Sequence, residues 1–398
     1  MPLLRRSDAE PVALRLSRDL VRTIKRGHPW VYAEALRQLP AAPPGTSAIL
    51  LDQRKGQEIA RGLYDPRSPL ALRVCSTDGQ PLDERWAERR LARALALRER
   101  FVTPETTGVR LAHGEGDGVP GLVVDRYGDV LVLKLDGPGP EGFWDAEGLA
   151  DWLLQRTGAT GVVGRRRERG AESVVLAGKL ADPLVHFQEN GLRYTADVLH
   201  GQKTGFFLDQ RDNRHFVRGW SRGLSVLNLF SYTGGFSIAA GMGGATQVTS
   251  VDLAAPAIAA AEDHWRLNGL PEGAHEAVAA DAFEFLESAR EERRRWDLVI
   301  VDPPSFAPSQ ETVVRAAAAY QKLISAAVRV TTNGGFVAAA SCSSHISEAH
   351  FIEICEEAVS EARRQARVVT VRSQPADHPW PLALPEFRYL KFVMLQIS

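Results

Sequence analysis

Ser225-Val-Leu-Asn-Leu-Phe-Ser-Tyr-Thr-Gly-Gly-Phe236 decides the fold. Its apolar run, Ser225–Leu229, feeds a turn with two glycines before a helix begins. Glycines let a backbone approach a ligand closely, and a helix N-terminus favours negative charge. Four further apolar runs follow: Gln247–Val251, Ala277–Ala280, Leu298–Val301 and Phe336–Ala340. Helical patterns lie between them, including Ala254–Leu267 and Thr312–Val330. This alternation predicts an α/β fold with a parallel, doubly wound sheet. Such sheets bind ligands beyond the carboxyl ends of their strands.

Each predicted strand ends in a residue suited to that task. The first runs into Phe230 and then Gly234; the next three end at Asp252, Asp281 and Asp302, and the fifth at Cys342. Thr233-Gly234-Gly235 is not the Gly-x-Gly-x-x-Gly pattern, which disfavours a pyrophosphate cofactor. Asp252 is placed to accept hydrogen bonds from both ribose hydroxyls, or to cap the helix from Ala254 onward. Asp281 is placed to orient an adenine, or to cap the helix from Ala282. In Asp302-Pro-Pro-Ser-Phe306 the two prolines fix an extended loop. Rigid acceptors there suit the exocyclic amine and ring nitrogen of a base; the alternative is a stiff strand-to-loop turn.

Cys342 lies in Ser341-Cys-Ser-Ser-His345, directly after an apolar strand. A free cysteine is often a small core hydrophobe. The polar setting and the strand-end position favour a nucleophile facing a nucleotide-like cofactor. If the fourth and fifth strands are neighbours, their ends lie roughly 5 Å apart, so Asp302 and Cys342 address one planar base. Cys355 falls in the helical run Phe351–Val359 and reads as core, and Cys75 has no constellation around it. No His, Cys or Asp cluster has metal spacing.

The chain has 398 residues, enough for two or three domains, with 44% hydrophobic and 24% charged residues, as in ordinary globular proteins. No apolar run approaches the roughly 20 residues that span a bilayer. Met1–Glu10 is charged and lacks an apolar signal region, and three cysteines fit a reducing compartment, so a cytoplasmic location is expected. The net charge of −1 does not advertise nucleic-acid binding. Its distribution leaves two readings: residues 1–73 carry 13 Lys or Arg against 7 Asp or Glu, a net of 13 − 7 = +6, which is either a local field that steers a polyanion or an Arg-rich bias of solvated charges.

That basic segment has short strand-like runs (Val12–Leu16, Ala48–Leu51, Leu70–Val74) between Pro and Gly turns, which predict a small β module over 1–75. An α+β region is expected over 76–190, with a helix at Leu82–Phe101 and a hairpin of Gly121–Asp125 and Val130–Lys134. A helix at Asp145–Arg156 and a strand at Gly161–Val163 complete it. The charge run Arg165–Arg169 reads as a solvated loop, with RNA contact as the sharper alternative. The alternating α/β region occupies 191–398.

On these residues the last region resembles the class I S-adenosylmethionine-dependent methyltransferases. More narrowly, the whole chain resembles the PUA-domain family of large-subunit ribosomal RNA cytosine-5 methyltransferases. Arg26-Gly-His-Pro-Trp-Val-Tyr32, His113-Gly-Glu-Gly-Asp-Gly-Val-Pro-Gly-Leu-Val-Val-Asp125 and Lys203-Thr-Gly-Phe-Phe-Leu-Asp-Gln-Arg-Asp-Asn-Arg214 carry the likeness, with Ser341-Cys-Ser343 and Ala376-Asp-His-Pro379 near the end. The resemblance implies a PUA-type RNA-binding barrel, a middle α+β domain and a Rossmann-like catalytic domain. It implies S-adenosyl-L-methionine as cofactor, with contacts at Gln210, Phe230, Gly234, Asp252, Asp281 and Asp302, and Cys342 as nucleophile. It implies large-subunit ribosomal RNA as partner and no membrane; a homodimer is compatible, and the oligomeric state stays open.

The chemistry expected from the resemblance is thiolate attack at C6 of cytosine, which makes C5 enamine-like and able to take a methyl group. Asp302 at the N3/N4 edge stabilises the developing charge. Many cytosine-5 RNA methyltransferases carry a second cysteine directly after Asp-Pro-Pro; here it is Ser305, which leaves the base for the C5 proton unidentified. The rivals are a uracil-5 methyltransferase, a guanine or adenine amine methyltransferase without use for Cys342, and a non-catalytic RNA-binding ribosome-assembly factor.

Overall fold

The computed structural model describes residues 1–5, 10–165, 173–306 and 310–398. The charge run therefore falls outside the described residues from Arg166 onward. The chain divides into two compact units: residues 1–189, 195–208 and 376–387 form the first, and 190–194, 209–375 and 388–398 the second.

In the first unit, β1 (Val12–Arg15), β2 (Trp30–Val31), β3 (Thr46–Leu51), β4 (Glu58–Tyr64) and β5 (Leu72–Ser76) form a sheet in the order β1-β3-β4-β5-β2. Burial alternates residue by residue along β3, the mark of a strand with one face on a core. That core gathers Leu14, Leu50, Tyr64 and Leu72, together with Ile24 from the short helix α1 (Val21–Lys25). A second sheet, in the order β10-β9-β8-β7-β6, follows: β6 (Gly108–His113), β7 (Leu122–Tyr127), β8 (Val130–Leu135), β9 (Gly161–Arg165) and β10 (Val174–Gly178). The predicted hairpin is β7 and β8, paired antiparallel. Strand β9 runs parallel to β8, which requires a crossover, and α3 (Pro138–Phe143) and α4 (Ala146–Thr157) provide it. The predicted first helix is α2 (Glu84–Arg98), started by Asp83, whose side chain accepts from the Trp86 backbone N–H. Trp86 and Trp144 stack with ring centres 5.8 Å apart and are almost fully buried in this core.

A hairpin of β11 (Leu184–Glu189) and β12 (Leu192–Asp197) lies where the division between units falls. The second unit then alternates helices and strands: α5 (Arg211–Trp220), β13 (Ser225–Leu229), α6 (Gly235–Met242), β14 (Gln247–Asp252), α7 (Ala255–Leu267), β15 (His275–Ala279), α8 (Ala282–Glu291), β16 (Trp296–Val301), α9 (Val313–Arg329), β17 (Thr331–Ser341), α10 (Glu348–Glu361), β18 (Ala366–Arg372) and β19 (Lys391–Ile397). The sheet order is β15-β14-β13-β16-β17-β19-β18. Its first five strands are parallel, as the alternation predicts, and this is a Rossmann-like arrangement. The parallel reading needs one correction, because β19 pairs antiparallel with both β17 and β18 and adds an edge the alternation does not foresee.

Candidate active site

Strand register brings the sequence-selected residues together. Leu229 pairs with Val251 on one side and Val301 on the other, and Val301 pairs with Ala339. Val251 in turn pairs with Val278. Phe230, Asp252, Asp281, Asp302 and Cys342 each lie just beyond these residues, so all five occupy the carboxyl edge of the sheet. Strand β13 is central, which places its turn, including Gly234, at the middle of that edge.

The turn after β13 is strained and held. Phe230 and Tyr232 adopt left-handed backbone with φ of 55° and 47°. Such conformations cost about 1–3 kcal/mol each in non-glycine residues and persist only where neighbours over-determine them. Here the Ser231 N–H donates to Val251 O at 3.0 Å, and the Tyr232 N–H donates to Asp252 Oδ2 at 2.8 Å. Gly234 (φ 78°) completes the turn as the residue preceding α6. A Cβ there would stand 2.8 Å from the Ala261 Cβ, so glycine is required by helix packing as well as by φ. No side chain caps α6, so its first N–H groups point at the edge without a side-chain acceptor. Asn228 Oδ1, Ser231 Oγ and Thr233 Oγ1 are buried oxygens without a protein partner among the described residues. Unsatisfied buried polar atoms and uncapped helix N–H groups on one loop are the chemistry a polar ligand completes.

The aspartates are not equivalent. Asp252 Oδ1 accepts from the Ala254 N–H at 2.9 Å while its Oδ2 holds Tyr232, so this carboxylate fixes both the approach to α7 and the β13 turn, although no side chain caps α7 itself. Asp281 Oδ1 accepts from the N–H groups of Phe283 and Glu284, at 2.8 and 3.2 Å, and is the N-cap of α8. Gln210 differs from the rest: it is buried before α5, where its Oε1 accepts from Asn213 Nδ2 at 2.7 Å, and no strand register ties it to the edge. Asn213 Oδ1 accepts in turn from Arg372 Nε at 3.2 Å.

Asp302 and Cys342 follow neighbouring parallel strands. Register sets Asp302 beside Ala340, with Cys342 two residues further out. The two loops are joined: Ser305 Oγ lies 2.8 Å from Ser343 Oγ. Behind them Tyr320 of α9 accepts from Ser341 Oγ at 3.1 Å and lies 3.4 Å from Ser343 Oγ. Burial pushes the Tyr320 phenol upward in pKa, so it stays a neutral hydrogen-bonding group. Cys342 is partly exposed, whereas Cys75 and Cys355 are buried and their thiols are pushed up to about 12 by desolvation.

Sequence reasoning missed Lys391. It heads β19 opposite Ser341, is 3% exposed, and donates from Nζ to the carbonyls of Ser343 and, at 2.8 Å, Tyr389. Burial lowers its ammonium to about 8, against the opposing pull of Cys342 and Glu348. Its signal in the sequence was a lone lysine inside Leu390-Lys-Phe-Val-Met-Leu395.

The chain is similar to known proteins over most of its length. The profile of a family described as S-adenosylmethionine-dependent methyltransferases matches residues 154–379, and a PUA-like domain profile matches residues 14–77. A protein of Deinococcus radiodurans named ribosomal RNA large subunit methyltransferase is 41% identical, over 98% of this chain and 99% of that one. One of Photobacterium profundum, named ribosomal RNA large subunit methyltransferase I, is 35% identical over 93% and 95% of the two chains. Among solved structures, the SAH complex of SMU.776 matches with a TM-score of 0.86 and 25% identity, covering 97% of this chain and 100% of that one.

Proposed function

Because this chain belongs to the S-adenosylmethionine-dependent methyltransferases, we propose that it methylates C5 of a cytosine in large-subunit ribosomal RNA through a covalent bond between Cys342 and C6. The names of its relatives and its PUA-like domain support ribosomal RNA as substrate, and a cytoplasmic setting goes with that substrate. The observation that carries the reading is the pairing of a partly exposed thiol and a carboxylate on adjacent strand ends, with their loops tied by Ser305 and Ser343.

S-adenosylmethionine is the cofactor, and it supplies an electrophilic methyl group on a sulfonium. The β13 turn would hold it: Gly234 would allow close approach, Phe230 would form a wall, and Asp252 would meet the ribose through lone pairs its backbone bonds leave open. Asp281 would face the adenine, and Gln210 would support the set from α5. On the substrate side, the Cys342 thiolate adds to C6 and pushes electron density to C5, which becomes nucleophilic enough to take the methyl group. Asp302 meets the N3/N4 edge: as a carboxylate it accepts from the N4 amine, and as the protonated acid it donates to N3, which stabilises the charge that develops on the ring. Loss of the C5 proton and elimination restore the thiol. Ser305 stands where a second cysteine is found in related chemistry, and its hydroxyl is engaged by Ser343 next to the nucleophile.

Incubating the protein with large-subunit RNA and labelled S-adenosylmethionine, then separating nucleosides by mass spectrometry, tests the reading. Labelled 5-methylcytidine is the expected product. Labelled 5-methyluridine, or a methylated purine, would replace it with another assignment.

Asp252→Ala is expected to weaken S-adenosylmethionine binding at least about tenfold in calorimetry. The substitution removes the acceptor of two backbone N–H groups, each bond worth roughly 1 kcal/mol, and releases Tyr232 from its left-handed conformation. Unchanged affinity in a folded variant would remove Asp252 from the cofactor site.

A further inference from the structure

Building on the reading of Cys342 as nucleophile, we infer that Lys391 is its counter-ion, a positioning residue that fixes the nucleophile's loop and balances the charge of its thiolate. Three observations carry this. First, β19 is antiparallel to β17 with Lys391 opposite Ser341, the residue preceding Cys342. Second, the Lys391 ammonium donates to the carbonyl of Ser343, the residue after Cys342, so Cys342 lies in the chain between two residues that Lys391 holds. Third, Lys391 is buried, in a place where a cation is costly unless something offsets it.

Tyr320 reaches the same Ser343 from α9, and it is neutral. Glu348 opens α10 and is already engaged by Arg388 at 2.9 Å. Cys342 follows β17, and its charge is the leading interaction that favours the Lys391 ammonium, ahead of Glu348. Two backbone carbonyls orient the lysine but bring no net charge. The negative charge that matches it is therefore the thiolate, formed when the Cys342 S–H gives its proton to solvent. Addition to C6 moves that charge onto the base. The ammonium, held near 8 by burial, is then left less stabilised at the moment the thiol must later be regenerated.

Alkylation tests this without reference to methyl transfer. Cys75 and Cys355 are buried with thiols near 12, so iodoacetamide applied below pH 9 reports Cys342, and peptide mass spectrometry verifies the site. The wild-type rate should rise with a midpoint at least about one unit below the ordinary thiol value of roughly 8.5. Lys391→Met should move that midpoint up by about one unit, a roughly tenfold slower reaction at pH 7, with S-adenosylmethionine affinity retained. Lys391→Arg keeps the charge and should keep the low midpoint. A wild-type midpoint at the ordinary value overturns the inference whether or not either variant folds. So does a folded Lys391→Met with an unmoved midpoint, or a folded Lys391→Arg that shifts as far as Met. Failure of the nucleophile reading looks different: methyl transfer would survive loss of Cys342, while the thiol titration would stand.

Discussion

Cys342→Ala is expected to lower methyl transfer by at least ~10⁴-fold while S-adenosylmethionine affinity stays within about twofold. C5 of cytosine is a poor nucleophile until a thiolate has added to C6, so removing the thiol removes the route and not merely one favourable contact. The other two cysteines cannot take over, since both are buried and their thiols stay protonated up to about 12. Cys342 is partly exposed, so the fold loses little with it. RNA containing 5-fluorocytidine gives a second readout. Fluorine at C5 cannot leave as a proton would, so the adduct should persist on denaturing gels with wild-type protein and be absent with the alanine variant. Full activity of Cys342→Ala would instead indicate methylation at an amine or ring nitrogen.

The sheet edge was legible because parallel strands buried on both faces read as continuous apolar runs. Leu298–Val301 and Phe336–Ala340 are of that kind, so Asp302 and Cys342 stood out where the runs stopped. Strands β18 and β19 were not legible for the complementary reason. Ala366–Arg372 is half exposed with no helix to complete an alternation, and Lys391–Ile397 follows a long irregular stretch. The strain at Phe230 and Tyr232 left no compositional trace, because it arises from hydrogen bonds to the next strand and not from glycine. Lys391 and Tyr320 were hidden by their residue types: a lysine is presumed solvated and a tyrosine within a helical pattern is presumed core. Only the pairing of β17 with β19, and of α9 against the Ser341–Ser343 segment, shows what their polar ends do. Of the two cap roles held open beside ligand contact in the sequence, that of Asp281 is realised, whereas Asp252 bonds Ala254 just ahead of α7 and does not cap it.

Arg98→Met is expected to destabilise the first unit by ~3–5 kcal/mol. The guanidinium is 1% exposed and uses both terminal nitrogens on Asp117, at 2.5 and 2.7 Å, while donating to the carbonyls of Arg110 and Asp377 at 3.0 and 2.7 Å. Asp117 is itself buried and also accepts from the His113 N–H at 2.6 Å. Removing the arginine leaves a buried carboxylate without its cation and takes one donor from each of two carbonyls, which is far more costly than the intact pair is stabilising. The cluster also joins two motifs that lie far apart in sequence. Asp377 Oδ2 accepts from the Arg110 N–H at 3.0 Å, and the His113 and His378 rings lie with centres 5.0 Å apart. Residues 376–387, which return to the first unit after β18, are thus pinned through Arg98. For a unit of this size the loss corresponds to a fall of roughly 6–20 °C in its calorimetric transition. Acid should compound it. Burial holds His113 well below its ordinary value of 6.5, so under that pH the unfolded chain binds a proton the folded one refuses, and stability declines as pH falls. Pairing the change with Asp117→Asn should recover part of the loss, since the stranded charge is then gone. A transition that stays within about 2 °C of wild type in Arg98→Met would mean that solvent reaches Asp117 and that the cluster does not anchor the returning segment.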